Sequence, residues 1–238
     1  MEKIHFQSLN QTVNGTLFTP KSKARVLGVI FFHGMTSSEK RYLDIAERVS
    51  EKGIACLTVN LRGHGDRSNK FDVGKVSEAV GDGIAAYDFF SKHDFIDDTR
   101  IGICGASFGG AVAALLSNQR KVKSLILRAP ATYTYEMMDW TFKKIMSHEG
   151  SLFHEMKDVD KTPAVAALSN FDGSLLVVES ENDTIIPKEV SEAFLSAAVK
   201  VKKKSKHVIR DATHNLADEI WREEFINLTV EWFSKTLI

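Results

Sequence analysis

The residues Gly105-Ala106-Ser107-Phe108-Gly109 constrain this chain more than any others. They follow a short apolar run, Thr99 to Cys104, and open a small-residue stretch, Gly110 to Ser117, that reads as a helix. A G-x-S-x-G pentapeptide between a strand and a helix is the pattern of a nucleophile elbow. The chain turns so sharply there that a side chain two residues either way from the serine would clash, which leaves glycine. The turn holds the serine hydroxyl clear of the sheet. The helix that follows points its first amides at the same place, where they favour negative charge. Because glycine makes up about 7% of residues in general, the pentapeptide alone would arise by chance in roughly one chain of this size in ten. Its strand-turn-helix setting, and partners elsewhere in the chain, carry the case.

The rest of the sequence supplies a sheet for that elbow. Val26 to Phe32, Ala55 to Leu61, Arg100 to Cys104, Val122 to Leu127 and Leu175 to Glu179 are apolar on both faces, as strands inside a parallel sheet are. A shorter strand is expected at Lys206 to Arg210. Helical periodicity falls between them, at Arg41 to Lys52, Val76 to Lys92, Phe108 to Ser117, Pro187 to Val199 and Leu216 to Thr236. Pro187 suits the first turn of its helix. At the start, Ile4 to Leu9 and Thr12 to Phe18 alternate in polarity and read as an antiparallel pair, with Asn14-Gly15 between or within them as turn chemistry. The alternation predicts an α/β fold, a mostly parallel sheet covered on both faces, in a single domain over residues 1–238. One stretch, about Ala131 to Phe171, breaks the pattern with many apolar residues and is expected to be a small helical insertion over the strand ends. The basic run Lys200 to Lys206 reads as a solvated connection.

Composition narrows the partners. The chain carries 31 basic against 31 acidic residues, so no electrostatic reason exists to expect nucleic acid, an anionic membrane or a highly anionic substrate. No apolar stretch approaches the ~20 residues of a membrane helix. The opening Met-Glu-Lys-Ile-His-Phe lacks the basic start and apolar run of a secretory signal. A cytoplasmic protein is the expectation. Cys56 and Cys104 both lie in strand-like runs and read as core residues rather than a disulfide.

An elbow serine needs a base to take its proton and an acid to orient the base. In a sheet of this kind both should come from loops after later strands, in the order serine, acid, histidine. Asp183 stands on the loop after the strand ending at Glu179, and His214 follows the last short strand, just ahead of the final helix. Glu179, Glu181 and Asp211 compete with Asp183 as the acid. An oxyanion hole would come from His33-Gly34-Met35, where the glycine lets the Met35 amide face the substrate, and from the Phe108 amide at the start of the elbow helix. His33 itself reads as a loop-stabilising residue. No G-x-G-x-x-G follows the first parallel strand, and Gly110-Ala111-Val112 stands where a phosphate loop would have Lys and Ser or Thr. No metal-binding spacing of His or Cys appears.

Together, His33-Gly34, Leu61 to Asp66, Gly105 to Gly110, the Asp183 to Pro187 loop and His214 resemble the α/β-hydrolase superfamily over nearly the whole chain. The size and the short insertion look most like the compact bacterial esterases of the cinnamoyl and feruloyl type. The resemblance implies a Ser107, Asp183, His214 triad, Met35 and Phe108 as oxyanion donors, no cofactor, and a structural role for the Arg62 to Gly65 turn. The expected activity is hydrolysis of small carboxylic esters of short-to-medium acyl or aryl acids. Thioester or peptide hydrolysis would use the same machinery, and a binding protein without turnover is the non-enzymatic alternative. Tyr133, Tyr135, Met137, Met138 and Trp140 of the insertion could roof the site, and Trp140 is the expected substrate contact.

Overall fold

Strands that are apolar on both faces need a layer of helices on each side. The computed structural model provides one; it describes residues 1–22 and 24–238, the side chains of Asn69 and Glu149 excepted. Among the described residues eight strands run along the chain. They are β1 (Glu2–Ser8), β2 (Gln11–Phe18), β3 (Val26–Phe32) and β4 (Ala55–Val59), then β5 (Ile96–Ala106), β6 (Ser124–Arg128), β7 (Ser174–Ser180) and β8 (Lys203–Ile209). They form one sheet in the order β1-β2-β4-β3-β5-β6-β7-β8. The ladders from β4 to β8 are parallel, while β1 pairs with β2, and β2 with β4, antiparallel. The α-helices are α1 (Leu43–Ser50), α2 (Val76–Ser91), α3 (Phe108–Ser117), α4 (Phe142–Met146), α5 (Glu149–Leu152), α6 (Pro163–Ala167), α7 (Lys188–Ala197) and α8 (Glu219–Thr236).

Two apolar cores result, one per face. On one side Ile45 and Val49 of α1 meet Phe225, Trp232 and Phe233 of α8 over Phe31, Cys56 and Cys104. On the other, α2, α3 and α7 cover Ile30, Phe32, Ile103 and Leu127. Both cysteines are buried and free. No helix among the described residues is long and apolar enough to cross a membrane.

Three local expectations are corrected. The first hairpin turns at Leu9-Asn10, not at Asn14-Gly15, which lies inside β2. Gly15 is there because β4 crowds it: a Cβ would stand 2.2 Å from the Thr58 carbonyl oxygen. The lysine run is not merely a connection, since Lys203, Lys204 and Lys206 belong to the edge strand β8, which begins earlier than its apolar residues suggest. Lysines suit an open edge because they oppose pairing with another chain. Finally, Pro187 caps α7 from just outside, with an extended ψ of 147°.

Between β6 and β7 the chain forms α4, α5 and α6 joined by short turns. Several of its rings are core rather than surface. Phe142 packs edge-on against Phe108, and Tyr133 meets both Phe108 and Phe153.

Candidate active site

At the end of β5 the backbone enters Ser107 with φ 51° and ψ −119°, a conformation L-residues avoid. The flanking glycines make it possible. A Cβ on Gly105 would lie 2.2 Å from the Gly109 carbonyl oxygen, and one on Gly109 would lie 2.2 Å from the Phe32 carbonyl oxygen. The turn is tied to the end of β6 and to the segment that follows it, the Ser107 amide donating to the Arg128 carbonyl at 2.9 Å and the Ala131 amide to the Ser107 carbonyl at 3.0 Å. Strain concentrates around it. Thr36, Ala129, Asp211 and Leu216 also have positive φ, and all lie in loops beyond the carboxyl ends of strands. Such clustering is typical of functional sites.

Asp183 and His214 reach the same region from the loops after β7 and β8. The two loops are laced together, the Asn182 amide donating to the Ala212 carbonyl at 2.9 Å and the Asp211 amide to the Glu181 carboxylate at 2.8 Å. His214 Nδ1 donates to Asp183 Oδ2 at 2.7 Å, which leaves Nε2 as the free basic nitrogen. Asp183 Oδ1 accepts from the Ile185 and Ile186 amides, each at 2.9 Å. Burial alone would raise this carboxyl, but His214 and the two amides outweigh it and hold it below its ordinary value. The competing acids are engaged elsewhere: Glu179 pairs with Lys206 at 2.8 Å and Glu181 holds the Asp211 amide.

The His33 to Thr36 loop completes the arrangement. A Cβ on Gly34 would touch Ser107 Cβ at 3.5 Å, so this loop lies against the serine. His33 anchors it, with Nδ1 donating to the Gly34 carbonyl at 2.8 Å and Nε2 accepting from the Leu61 amide at 3.1 Å. Burial, reinforced by His64 nearby, pushes His33 down to about 3, so it stays neutral and structural. His64 donates from Nδ1 to the Arg62 carbonyl and stacks on Phe108. The Met35 and Phe108 amides make no hydrogen bond to the protein among the described residues. They are two free donors beside the serine, the Phe108 amide being among those a helix start leaves unpaired.

Ser107, His214 and Met35 line one cavity of about 670 Å³. Trp140 does not line it. That ring is half-buried on the insertion, beneath Lys144 Nζ at 3.7 Å and beside the His148 ring.

Comparison with known proteins gives the family and the fold. The prolyl oligopeptidase family matches residues 42–238, which hold the elbow, the acid loop and the histidine. The chain belongs to that family. A protein of Mycobacterium tuberculosis is 26% identical over 193 residues, covering 80% of this chain and 64% of its own length. YitV of Bacillus subtilis is 32% identical over 117 residues, covering 42% of this chain and 45% of its own. The chain thus spans less than two thirds of these relatives. Among solved structures, Est1E of Butyrivibrio proteoclasticus with ferulic acid bound superposes with a TM-score of 0.76 at 18% identity, over 98% of this chain and 99% of that one. A dienelactone hydrolase from Anabaena variabilis superposes at 0.72 and 18% identity, over 100% of this chain and 98% of that one. The fold is that of the α/β-hydrolases.

In this member of the prolyl oligopeptidase family, three arginines that the sequence reading passed over face the cavity: Arg41, Arg128 and Arg222. Arg222 is paired with Asp44 at 2.5 Å. Arg41 donates to the Asn215 and Leu216 carbonyls at 2.7 and 2.8 Å, bracing the histidine loop. Arg128, at the end of β6, donates to the carbonyl of His214 itself. Burial pushes its guanidinium below the ordinary value, with Tyr42, Asp183 and Cys104 partly offsetting that.

Proposed function

We propose that the protein is a serine hydrolase that cleaves carboxylic esters through an acyl-enzyme on Ser107. The observation that carries this reading is the 2.7 Å Asp183–His214 contact, made where His214 and the strained Ser107 face one cavity. Nε2 of His214 takes the Ser107 proton as Oγ bonds to the ester carbonyl carbon. The carbonyl oxygen gains the negative charge and lies against the Met35 and Phe108 amides, each donor worth about 3 kcal/mol in such a transition state. The carbon–oxygen ester bond then breaks, and the alcohol leaves with the proton from His214. Water repeats the sequence on the acyl-enzyme, releasing the acid and restoring Ser107. Asp183 keeps the proton on Nδ1 throughout and offsets the imidazolium charge.

The cavity volume lies within the range of small-molecule sites, about 300–1,000 Å³. Its apolar side chains, Met35, Ile45, Leu216 and Phe225, suit acyl chains of short to medium length or an aryl acid. The test is a panel of p-nitrophenyl esters, acyl-CoAs and aminoacyl anilides, run with the wild type and with Ser107→Ala. Ester turnover that is lost in Ser107→Ala supports the reading. Faster anilide or acyl-CoA turnover would reassign the protein as a peptidase or thioesterase on the same triad. Turnover of none would leave a binding protein.

A further inference from the structure

The wall of the cavity carries charge of one sign. Arg41, Arg128 and Arg222 line it, and no aspartate or glutamate does so among the described residues. Of the three, Arg222 alone has a carboxylate partner among the described residues, Asp44. Arg128 is the telling case. It is 8% exposed, yet among the described residues no carboxylate lies within ion-pair distance of it, and its hydrogen bond goes to a backbone carbonyl, that of His214. The carboxylate whose charge it feels, Asp183, already serves His214 and two amides. A guanidinium buried without a counter-charge is costly, and proteins keep such a group where something anionic arrives to meet it. Its planar fork of donors matches a carboxylate in two parallel hydrogen bonds. Position agrees with charge. The Arg128 carbonyl accepts from the Ser107 amide, and both residues line the one cavity.

We propose that the ester taken by this site carries a carboxylate, which binds the Arg128 guanidinium with Arg41 close by, so that the enzyme selects half-esters of dicarboxylic acids or esters of hydroxy acids over neutral esters. This rests on the ester-hydrolase reading and adds the substrate class to it. Near-neutral net charge overall is no objection, because the cationic groups are gathered at this one wall.

The experiment compares near-isosteric pairs in a pH-stat: monomethyl glutarate with methyl hexanoate, and carboxymethyl butanoate with propyl butanoate. The anionic member of at least one pair should show a kcat/KM about 10- to 100-fold higher, the span expected of a hydrogen bond to a charged group. That ratio should shrink in 1 M NaCl. In Arg128→Met the ratio should collapse towards one, chiefly through KM of the anionic ester, and Arg128→Lys should recover part of it. If Arg128 only props the His214 loop, both members of a pair fall together in Arg128→Met, and the proposal is overturned. Ratios near one in the wild type for both pairs overturn it too, even if Arg128→Met does not fold. Titration calorimetry of glutarate, with inorganic phosphate as comparison, reads the anion site without any turnover. Glutarate binding weakened in Arg128→Met is the expected result; no glutarate binding, or binding of phosphate alone, counts against a carboxylate site. Hydrolysis of neither member of either pair would count against the ester-hydrolase reading, and the glutarate titration would still decide the anion site.

Discussion

Replacing Gly109 with alanine would put a Cβ 2.2 Å from the Phe32 carbonyl oxygen and 2.6 Å from the His33 carbonyl oxygen. Ordinary contact begins at 3.4 Å, so about 1.2 Å of separation has to be found. Both obstacles are backbone, and no rotamer change relieves them. β3 is held between β4 and β5 and cannot retreat, so either α3 lifts or the His33 to Met35 loop shifts. Each movement displaces a proposed oxyanion donor relative to Ser107. A misplacement of about 1 Å costs on the order of 10²-fold, and full loss of one donor about 10²–10³-fold. We therefore expect Gly109→Ala to lower kcat on p-nitrophenyl butyrate by about 10²–10³-fold. Overpacking should remove about 1–3 kcal/mol of stability in urea titrations. Gly53→Ala is the control: nothing lies within 4 Å of its Cβ, and φ is +80°, so only backbone strain of about 1–2 kcal/mol is added. Its kcat should be unchanged. A Gly109→Ala protein with kcat within threefold of wild type would refute this coupling of the elbow to the oxyanion hole.

Asp183→Asn should lower kcat by about 10⁴-fold with little loss of folding, because it keeps the shape but frees the wrong tautomer of His214; near wild-type turnover would remove Asp183 from the mechanism. Asp82 is fully buried and accepts from Arg62 at 2.8 Å and Arg67 at 2.9 Å, so Asp82→Ala should cost about 3–5 kcal/mol in chemical denaturation by leaving the Arg67 guanidinium without a carboxylate and Arg62 with Glu78 alone. His33 and His64 are pushed by burial down to about 3 and about 4, whereas the unfolded chain takes up those protons near 6.5. The unfolded state therefore binds more protons below about pH 6.5, and stability should fall by about 1.4 kcal/mol per pH unit for each histidine until the folded values are reached. Urea titrations at pH 7 and pH 5 check this, and His33→Gln should roughly halve the part of the slope due to these two groups.

Much of this was legible in the sequence where one chemistry dominates a short stretch. Residues apolar on both faces announced β3 to β7, and the glycine spacing around Ser107 announced a turn that the 2.2 Å clearances explain. His214 was legible through its place after the last strand. The lysine-rich start of β8 was not, because an edge strand needs no apolar alternation to pair. Gly15 misled for a related reason: its cause is a neighbour 43 residues away in the chain, the carbonyl of Thr58. Trp140 drew attention as a large aromatic ring, but which face of an insertion meets the site is decided by packing around Phe142 and Phe108. Arg128 carried a usable signal. A charged residue closing the run Ser124-Leu125-Ile126-Leu127, at the carboxyl end of a buried parallel strand, sits where ligands bind in such sheets. Arg41 and Arg222 carried none, since each reads as an ordinary helix-surface charge until α1 and α8 are brought together.

The proposed role of Ser107 is tested most directly by covalent capture. The protein is treated with a fluorophosphonate, its intact mass measured, and the labelled peptide sequenced. The expected result is one adduct per chain, on the peptide containing Ser107, absent in Ser107→Ala and strongly slowed in His214→Ala. An adduct on another residue, undiminished labelling of Ser107→Ala, or no adduct on the folded wild type would contradict it.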